Sequence, residues 1–373
     1  MKLINKFLRN LKPYKLASHK VWMVEPEERK KILKLDWNEA TILPSPKVIE
    51  RIKRLAEAGN FYNLYPATLN EEIIQLLSIY VQLPEENLQY FAGSDSLHEY
   101  ITKMFVTVGD PVIILAPSYD NFRLTCEANG ASLHFSLLND DFSFDPIRFE
   151  KDICLYNPSL VYICNPNNPT GNLHTVDYIE SLLDAYPDTI FLIDEAYCEF
   201  TNLTCKELVL NHENILITRT MSKAFALANF RFGYLIASKE NVHEINKIRN
   251  PKNISTFSQE AAIGALSDIN FMEKYVSDIN ESKKFFIAEL KKHIGSIILF
   301  EGAGNFLLIK FSTKELKDKV NQSLSDNDIF VRNLTHSSLL NLCLRITIGT
   351  RPQMERVLKV INLCFIEYEG STL

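Results

Sequence analysis

Short apolar runs recur through the middle of the chain, and stretches with helical spacing separate them. The runs are almost continuously apolar, which is typical of strands that are covered on both faces of a sheet. Residues 73–81 and 97–105 instead follow the i, i+3, i+4, i+7 spacing of amphipathic helices. This alternation predicts a mainly parallel α/β sheet. Its seven predicted strands cover residues 88–92, 112–115, 132–135, 160–164, 189–193, 214–218 and 233–237.

The regions on either side of these strands add local signals. Thr68 followed by Glu71 predicts a capping box that starts the helix over residues 73–81. From about residue 265 long charged helical patterns dominate, with strands predicted at 306–309 and 344–348 and a closing helix over 354–365. We therefore predict three parts: an N-terminal arm and part of a small domain over 1–40, a large domain over 41–264, and a small α+β domain over 265–373.

The composition argues against several classes of protein. Lys and Arg number 40 against 46 Asp and Glu, and this net charge of −6 argues against a general nucleic-acid binder. No stretch approaches the roughly 20 apolar residues of a membrane helix. The seven cysteines include no C-x-x-C pair, so we expect neither a disulfide framework nor a metal site, and we expect a cytoplasmic location. The basic first twenty residues lack the apolar core of a targeting peptide, which favours a surface arm.

Polar residues that could carry chemistry follow the apolar runs. In an open α/β sheet, ligands bind beyond the carboxyl ends of the strands, so these residues should converge. Each taken singly has an ordinary explanation as a turn, a helix cap or a solvated charge. Together they provide a phosphate cup, an amide, a carboxylate, a lysine and an arginine, the set that pyridoxal 5′-phosphate needs. The segments are Gly93-Ser94-Asp95-Ser96, Asn165 to Gly171, Asp194-Glu195-Ala196-Tyr197, and Thr220-Met221-Ser222-Lys223 with Arg231.

Further motifs extend this set along nearly the whole chain. They are Leu8 to Tyr14, Tyr65-Pro66, Pro117-Ser118-Tyr119, Ser222-Lys223-Ala224-Phe225, Arg231 to Tyr234, and Leu344 to Thr350. In this order, the motifs resemble those of the fold type I pyridoxal-phosphate-dependent aminotransferases, and most closely the histidinol-phosphate aminotransferases. The resemblance implies a large domain with a mainly parallel seven-stranded sheet and a smaller α+β domain.

The resemblance also implies roles for individual residues. Lys223 would form the Schiff base with the cofactor and act as acid and base, Asp194 would pair with the ring nitrogen, and Tyr119 would stack on the ring. Asn168 and Tyr197 would hydrogen-bond the phenolic oxygen. The cofactor phosphate would be held by Ser94, Asp95, Thr220, Ser222 and Arg231, and by Tyr65 of a partner subunit. This last residue implies a homodimer with shared sites.

Three residues bear on the substrate in the same resemblance. Arg345 would bind the amino-acid carboxylate, Arg332 would be a second anion-binding arginine, and Tyr14 would contact a substrate phosphate. We therefore expect an aminotransferase that exchanges an amino group between a phosphorylated amine, similar to histidinol phosphate, and the glutamate/2-oxoglutarate pair. Two alternatives stay open: a decarboxylase of a phosphorylated amino acid, and a non-catalytic protein that binds pyridoxal phosphate. The exact amine is left open.

Overall fold

A seven-stranded sheet forms the centre of the larger part of the molecule. The computed structural model describes residues 4–9, 11–13, 20–293, 295–335 and 338–371. The strands of this part of the chain are β1 (Leu33–Leu35), β2 (Leu88–Phe91), β3 (Pro111–Ala116), β4 (Ser132–Leu137), β5 (Leu160–Cys164), β6 (Ile190–Asp194), β7 (Ile215–Thr220), β8 (Gly233–Ala237), β9 (Ile297–Phe300), β10 (Phe306–Phe311), β11 (Ile329–Asn333) and β12 (Cys343–Thr347). The large sheet has the order β2-β8-β7-β6-β5-β3-β4. All seven predicted strands are present in it.

The large sheet is mainly parallel, as predicted. Strand β8 is the exception, because it pairs antiparallel with both β2 and β7. The central strands β5 and β7 are buried along their whole length, in line with their apolar sequences. Strand β4 differs from the expectation of two covered faces, because it lies at the edge of the sheet and leaves Phe135 and Leu137 about half exposed.

Helices cover the sheet, and the predicted helical stretches are among them. The helices are α1 (Pro26–Arg29), α2 (Pro46–Ala58), α3 (Glu71–Val81), α4 (Gly93–Phe105), α5 (Asn121–Asn129), α6 (Pro146–Tyr156), α7 (Val176–Ala185), α8 (Lys239–Asn246), α9 (Thr256–Leu266), α10 (Ile269–Leu290), α11 (Lys314–Asp326) and α12 (Arg351–Ser371). In the described ranges, none of them has the length and apolar character needed to cross a membrane.

The predicted capping box at the start of α3 is wrong. Asn70 is the N-cap, and its side-chain oxygen accepts a hydrogen bond from the Ile73 N–H at 3.4 Å. Asn70 directly precedes the first helical residue, whereas Thr68 lies two positions too early and its carbonyl accepts from Arg249 instead. Proximity to the first turn therefore decides which polar residue caps the helix.

A second, smaller sheet combines the N-terminal and C-terminal parts of the chain. Its order is β1-β11-β12-β10-β9, with β1 parallel to β11 and the other pairs antiparallel. The predicted strands near 306–309 and 344–348 are β10 and β12, and the predicted closing helix is α12. Pairing of β1 with β11 places the segment after β1 beside the small sheet. The domain boundaries at 40/41 and 264/265 stay predictions.

Candidate active site

A cavity of about 470 Å³ lies at the carboxyl ends of β5, β6 and β7, beside the start of α4. Arg345 of the small sheet and Asp36, Trp37 and Glu39, which follow β1, complete its wall. The structure brings together eleven of the predicted site residues in this wall: Ser94, Asp95, Tyr119, Asn168, Asp194, Tyr197, Thr220, Ser222, Lys223, Arg231 and Arg345. Tyr65 and Arg332 are not part of the wall, and Tyr14 lies outside the described residues.

Lys223 follows β7 by three residues, and its half-buried side chain lines the cavity. Its Nζ donates a hydrogen bond to the Trp37 carbonyl at 2.8 Å. Burial lowers the pKa of Lys223 to about 8; Glu39 opposes this shift and Arg345 adds to it. A larger neutral fraction of the amine follows, which is the form that attacks a carbonyl carbon.

Asp194 is the last residue of β6 and is fully buried. Its Oδ2 accepts a hydrogen bond from the Tyr162 hydroxyl at 2.7 Å, and its Oδ1 accepts one from the Ala196 N–H at 3.2 Å. Burial raises the pKa of Asp194, while His98 and the Tyr162 hydrogen bond act in the opposite direction. A carboxylate in this position is suited to pair with a protonated ring nitrogen.

The hydroxyl of Tyr197 has two amide donors. Asn38 Nδ2 donates to it at 3.0 Å and Asn168 Nδ2 donates at 3.1 Å. Burial raises the pKa of Tyr197, so the phenol keeps its proton at neutral pH. Because both neighbours are donors, that proton is directed to a third acceptor, and a phenolate oxygen of a cofactor fits this requirement.

The start of α4 forms a cradle for an anion. A Cβ atom on Gly93, which has φ +83°, would lie 2.6 Å from Arg231 Nη2, and one on Gly233 would lie 2.6 Å from the Ser94 nitrogen. The two glycines thus permit a guanidinium and the first helical N–H groups to approach one point. Ser222 Oγ lies 3.3 Å from Arg231 Nη1 and accepts from Thr220 Oγ1 at 2.9 Å. These donors fit a phosphate group.

Asp95 lies in this cradle but its carboxylate has cationic and neutral partners of its own. It accepts hydrogen bonds from the Tyr119 hydroxyl at 2.9 Å and from Asn121 Nδ2 at 3.1 Å, and it pairs with Arg231 at 3.3 Å. A carboxylate repels a phosphate, so the Asp95 side chain is not suited to bind one. Its contacts instead orient Tyr119 and Arg231. The predicted contact of Asp95 with the phosphate would therefore be made by its backbone N–H.

Arg345 connects the small sheet to the cavity. Its Nη1 donates to Asn168 Oδ1 and its Nη2 donates to the Asp36 carbonyl, both at 2.6 Å. Arg332, on β11, is the register partner of Arg345, on β12. Directly opposed residues of an antiparallel pair extend on the same face of a sheet, so the two guanidinium groups share one face.

No site role was assigned from the sequence to the segment Asp36-Trp37-Asn38-Glu39. It follows β1 in the same way that the predicted segments follow β5, β6 and β7, and three of its residues line the cavity. Asn38 adds the hydrogen bond to Tyr197. The signal existed, but a strand of three residues is too short to be recognised from periodicity. Trp22, Tyr162 and His98 were also missed.

The residues of the cavity fit pyridoxal phosphate. They supply an amine of lowered pKa, a buried carboxylate, a directed phenol and a phosphate cradle. No cluster of His, Cys, Asp and Glu suited to a metal ion occurs in the ranges that the structure describes.

Comparison with known proteins agrees with this fit. The sequence profile of the family Aminotransferase class I and II matches residues 30–361. The dihydroxyacetone phosphate transaminase of Campylobacter jejuni is 41% identical over 361 residues, 96% of each chain. The histidinol-phosphate aminotransferase of Ruminiclostridium cellulolyticum is 36% identical over 336 residues, 89% of this chain and 93% of the other. The structure of the histidinol-phosphate aminotransferase of Sinorhizobium meliloti in complex with pyridoxal-5′-phosphate matches with TM-score 0.84 and 26% identity, covering 97% of this chain and 98% of the other.

These matches confirm the predicted fold type and cofactor, and they support an enzyme over a non-catalytic protein that binds the cofactor. The profile match spans most of the chain, and the two relatives at 41% and 36% identity cover nearly all of it. The chain therefore belongs to the class I and II aminotransferases, enzymes that depend on pyridoxal 5′-phosphate.

Proposed function

We propose that this aminotransferase exchanges an amino group between a small phosphorylated amine and the glutamate/2-oxoglutarate pair. The observation that carries the proposal is the register pairing of Arg332 with Arg345. Of these two arginines, Arg345 lines the cavity. Two guanidinium groups on one face of the sheet favour a phosphate or a carboxylate beside the reacting carbon. The substrates named for the two relatives, dihydroxyacetone phosphate and histidinol phosphate, both carry a phosphate ester.

Among such substrates, we favour dihydroxyacetone phosphate and its amine counterpart, serinol phosphate. The relative at 41% identity is named for the three-carbon ketone. In addition, two large residues, Trp22 and Trp37, line the cavity, which favours a small substrate. A short carbon skeleton with one hydroxyl is therefore a better match than one with an imidazole ring.

The residues of this chain would have distinct roles in the reaction. When bound, pyridoxal phosphate supplies a carbonyl carbon that holds the amine and a protonated ring that accepts electrons from the α-carbon. Lys223 would take the α-proton and return it at the neighbouring carbon, since its amine has a pKa near 8. Asp194 would hold the ring nitrogen protonated, Tyr197 and Asn168 would donate to the phenolic oxygen, and Tyr119 would stack on the ring. Arg231, Ser222, Thr220 and the first N–H groups of α4 would hold the phosphate.

A substrate panel tests the proposal. Purified holoenzyme is mixed with serinol phosphate, histidinol phosphate, phosphoserine and their dephosphorylated forms, and conversion of the cofactor to its amine form is followed by absorbance. Loss of two charge-assisted hydrogen bonds predicts roughly 10²–10⁴-fold lower kcat/KM without the phosphate. We expect serinol phosphate to be the best amine donor. Equal use of phosphorylated and dephosphorylated amines contradicts the proposal, and release of carbon dioxide without the amine form of the cofactor indicates the decarboxylase instead.

We further propose a homodimer with shared sites. Tyr65 is 81% exposed and is absent from the cavity wall of its own chain, and Tyr62, Leu64 and Leu69 beside it are each more than half exposed. A second copy of the chain that covers this apolar strip, residues 62–69, would bring Tyr65 to the other subunit's phosphate cradle. A reducing cytoplasm is in keeping with the seven free thiols.

Mixed dimers test the shared site. Lys223→Ala and Tyr65→Ala proteins, each with greatly reduced activity, are denatured together and refolded. If the sites are shared, the mixed dimer contains one site with both substitutions and one with neither, so activity is regained. Activity no greater than the sum of the two separate variants contradicts sharing.

A further inference from the structure

We propose that Tyr162 is a positioning residue for Asp194: its hydroxyl fixes the carboxylate as the anion that pairs with the ring nitrogen of the cofactor. Tyr162 lies inside strand β5, where its place in an apolar run makes it look like a core residue. The inference rests on the role proposed for Asp194, and the experiment below tests the two separately.

The geometry assigns the hydroxyl of Tyr162 to Asp194. Both side chains are fully buried, and the hydroxyl donates to Asp194 Oδ2 at 2.7 Å. The ring is held by Phe122, which stacks on it at 4.4 Å between centroids and 14° between planes, and by the edge of His98 at 5.8 Å. Phenylalanine would fill the same space between these two rings, so packing does not account for the hydroxyl. Its buried donor instead has the carboxylate as acceptor.

The groups around Asp194 act in opposite directions on its ionisation, and the hydrogen bond from Tyr162 is one of those that favour the carboxylate. His98 Nε2 lies 3.9 Å from Asp194 Oδ2 and 3.2 Å from Thr218 Oγ1. Other ionisable groups that interact electrostatically with Asp194 include Asp95 from α4, Cys164 from β5 and Tyr197 after β6. Burial and Asp95 favour the protonated acid, whereas His98, the Tyr162 hydroxyl and the Ala196 N–H all favour the carboxylate.

This stabilisation determines where the shared proton lies. A proton between Asp194 and a ring nitrogen lies on the nitrogen when the carboxylate is the weaker base, and a hydrogen bond to the carboxylate weakens it as a base. Burial and the nearby Asp194 raise the pKa of Tyr162 well above its usual value, so this phenol remains a donor throughout the working range. Tyr162 therefore acts on the electron-accepting capacity of the ring without touching it.

The test compares the binding of two cofactors to apoenzyme by calorimetry: pyridoxal phosphate and its carbocyclic analogue, in which a C–H replaces the ring nitrogen. Tyr162→Phe is expected to weaken pyridoxal phosphate about tenfold or more and to leave the affinity for the analogue within about twofold, because the hydroxyl acts only through the ring nitrogen. Tyr234→Phe is the matched control, since it removes a buried hydroxyl of β8 whose electrostatic neighbours are Arg219, Glu199 and Cys198. It should change neither affinity selectively.

Two outcomes separate the inference from its premise. Equal weakening of both cofactors in Tyr162→Phe, with the thermal unfolding midpoint lowered, would assign the hydroxyl a purely structural role and overturn the inference. Asp194→Asn should abolish the preference for pyridoxal phosphate over the analogue; if it does not, the role of Asp194 itself is wrong. In holoenzyme, Tyr162→Phe should also lower kcat about 10–100-fold with KM unchanged, since proton abstraction at the α-carbon depends on the protonated ring.

Discussion

Arg332 on β11 lies directly opposite Arg345 on β12 in the antiparallel register of the small sheet. Both arginines are buried, and like charges in directly opposed positions repel. The Arg345 guanidinium donates hydrogen bonds to the Asn168 side chain and to the Asp36 carbonyl. In the proposed function, an anionic substrate group beside this pair would be attracted to both guanidinium groups, which would favour the binding of a phosphate or a carboxylate.

Arg332→Ala is expected to discriminate between the two substrates of the reaction. The kcat/KM for the phosphorylated amine should fall about 10–100-fold, because one or more charge-assisted hydrogen bonds of about 1.5–3 kcal/mol are lost. Glutamate, which would depend first on Arg345, should suffer less. Arg351→Ala, which removes an exposed arginine paired with Glu355, is the control. An equal loss for both substrates would argue against a phosphate role for Arg332.

Lys223→Ala should abolish covalent attachment of the cofactor and lower turnover by orders of magnitude, since no other amine lines the described cavity wall. The measurement is retention of the cofactor after borohydride reduction and dialysis. Lys283 provides a matched control because burial also lowers its pKa to about 8, while its Nζ donates to the carbonyls of Gly302 and Gly304. Lys283→Met should still retain the cofactor, although the fold will be less stable.

Loading of apoenzyme with cofactor should depend on pH. The pKa of Lys223 is lowered to about 8, so the reactive neutral amine is about half of the total at pH 8 and roughly a tenth at pH 7. The rate of loading, followed by visible absorbance after mixing, should therefore rise with pH and level off above about pH 8. Glu39 raises this pKa, so Glu39→Gln should move the midpoint to lower pH. A rate still rising steeply at pH 10 would show that the amine is unperturbed.

Asn38→Asp tests the direction of the Tyr197 proton. The new carboxylate would accept a hydrogen bond from Tyr197 in place of donating one, and so would withdraw the phenol from the cofactor. Asn38 has φ 56°, a conformation that Asp also tolerates, so the backbone should be preserved. We expect kcat to fall about tenfold and the visible absorbance of the bound cofactor to shift. Asn87→Asp, a buried asparagine whose side chain donates to the Ala237 carbonyl, should leave that absorbance unchanged.

Gly93→Ala should weaken cofactor binding through the phosphate cradle. Its Cβ would lie 2.6 Å from Arg231 Nη2, so the guanidinium must move, and the dissociation constant of the cofactor should rise about 10–100-fold. Gly109→Ala is the control, because it has φ +94° and nothing within 4 Å of its Cβ. Both variants carry the backbone cost of about 1–2 kcal/mol for a left-handed alanine. Equal cofactor affinity in the two variants would exclude the cradle role.

The site residues that the sequence predicts are those that follow long buried strands. Asp194 is the last residue of β6 and Lys223 lies three residues after β7, and these strands of five and six residues give a clear apolar signal. Asn38 follows a strand of three residues, which is too short for its apolar pattern to be recognised. Tyr162 lies within a strand, where an aromatic residue is indistinguishable from core. The register that opposes Arg332 to Arg345 depends on pairing between separate segments, which local patterns do not encode.

The two tryptophans of the chain, Trp22 and Trp37, both line the cavity. The intrinsic fluorescence of the indole rings therefore originates entirely at the active site, with no background from tryptophan elsewhere in the protein. A bound pyridoxal ring absorbs where indole emits, so occupation of the cavity is expected to quench the emission of these two residues. The enzyme thus carries its own optical reporter, with which cofactor and substrate binding can be followed in unlabelled protein.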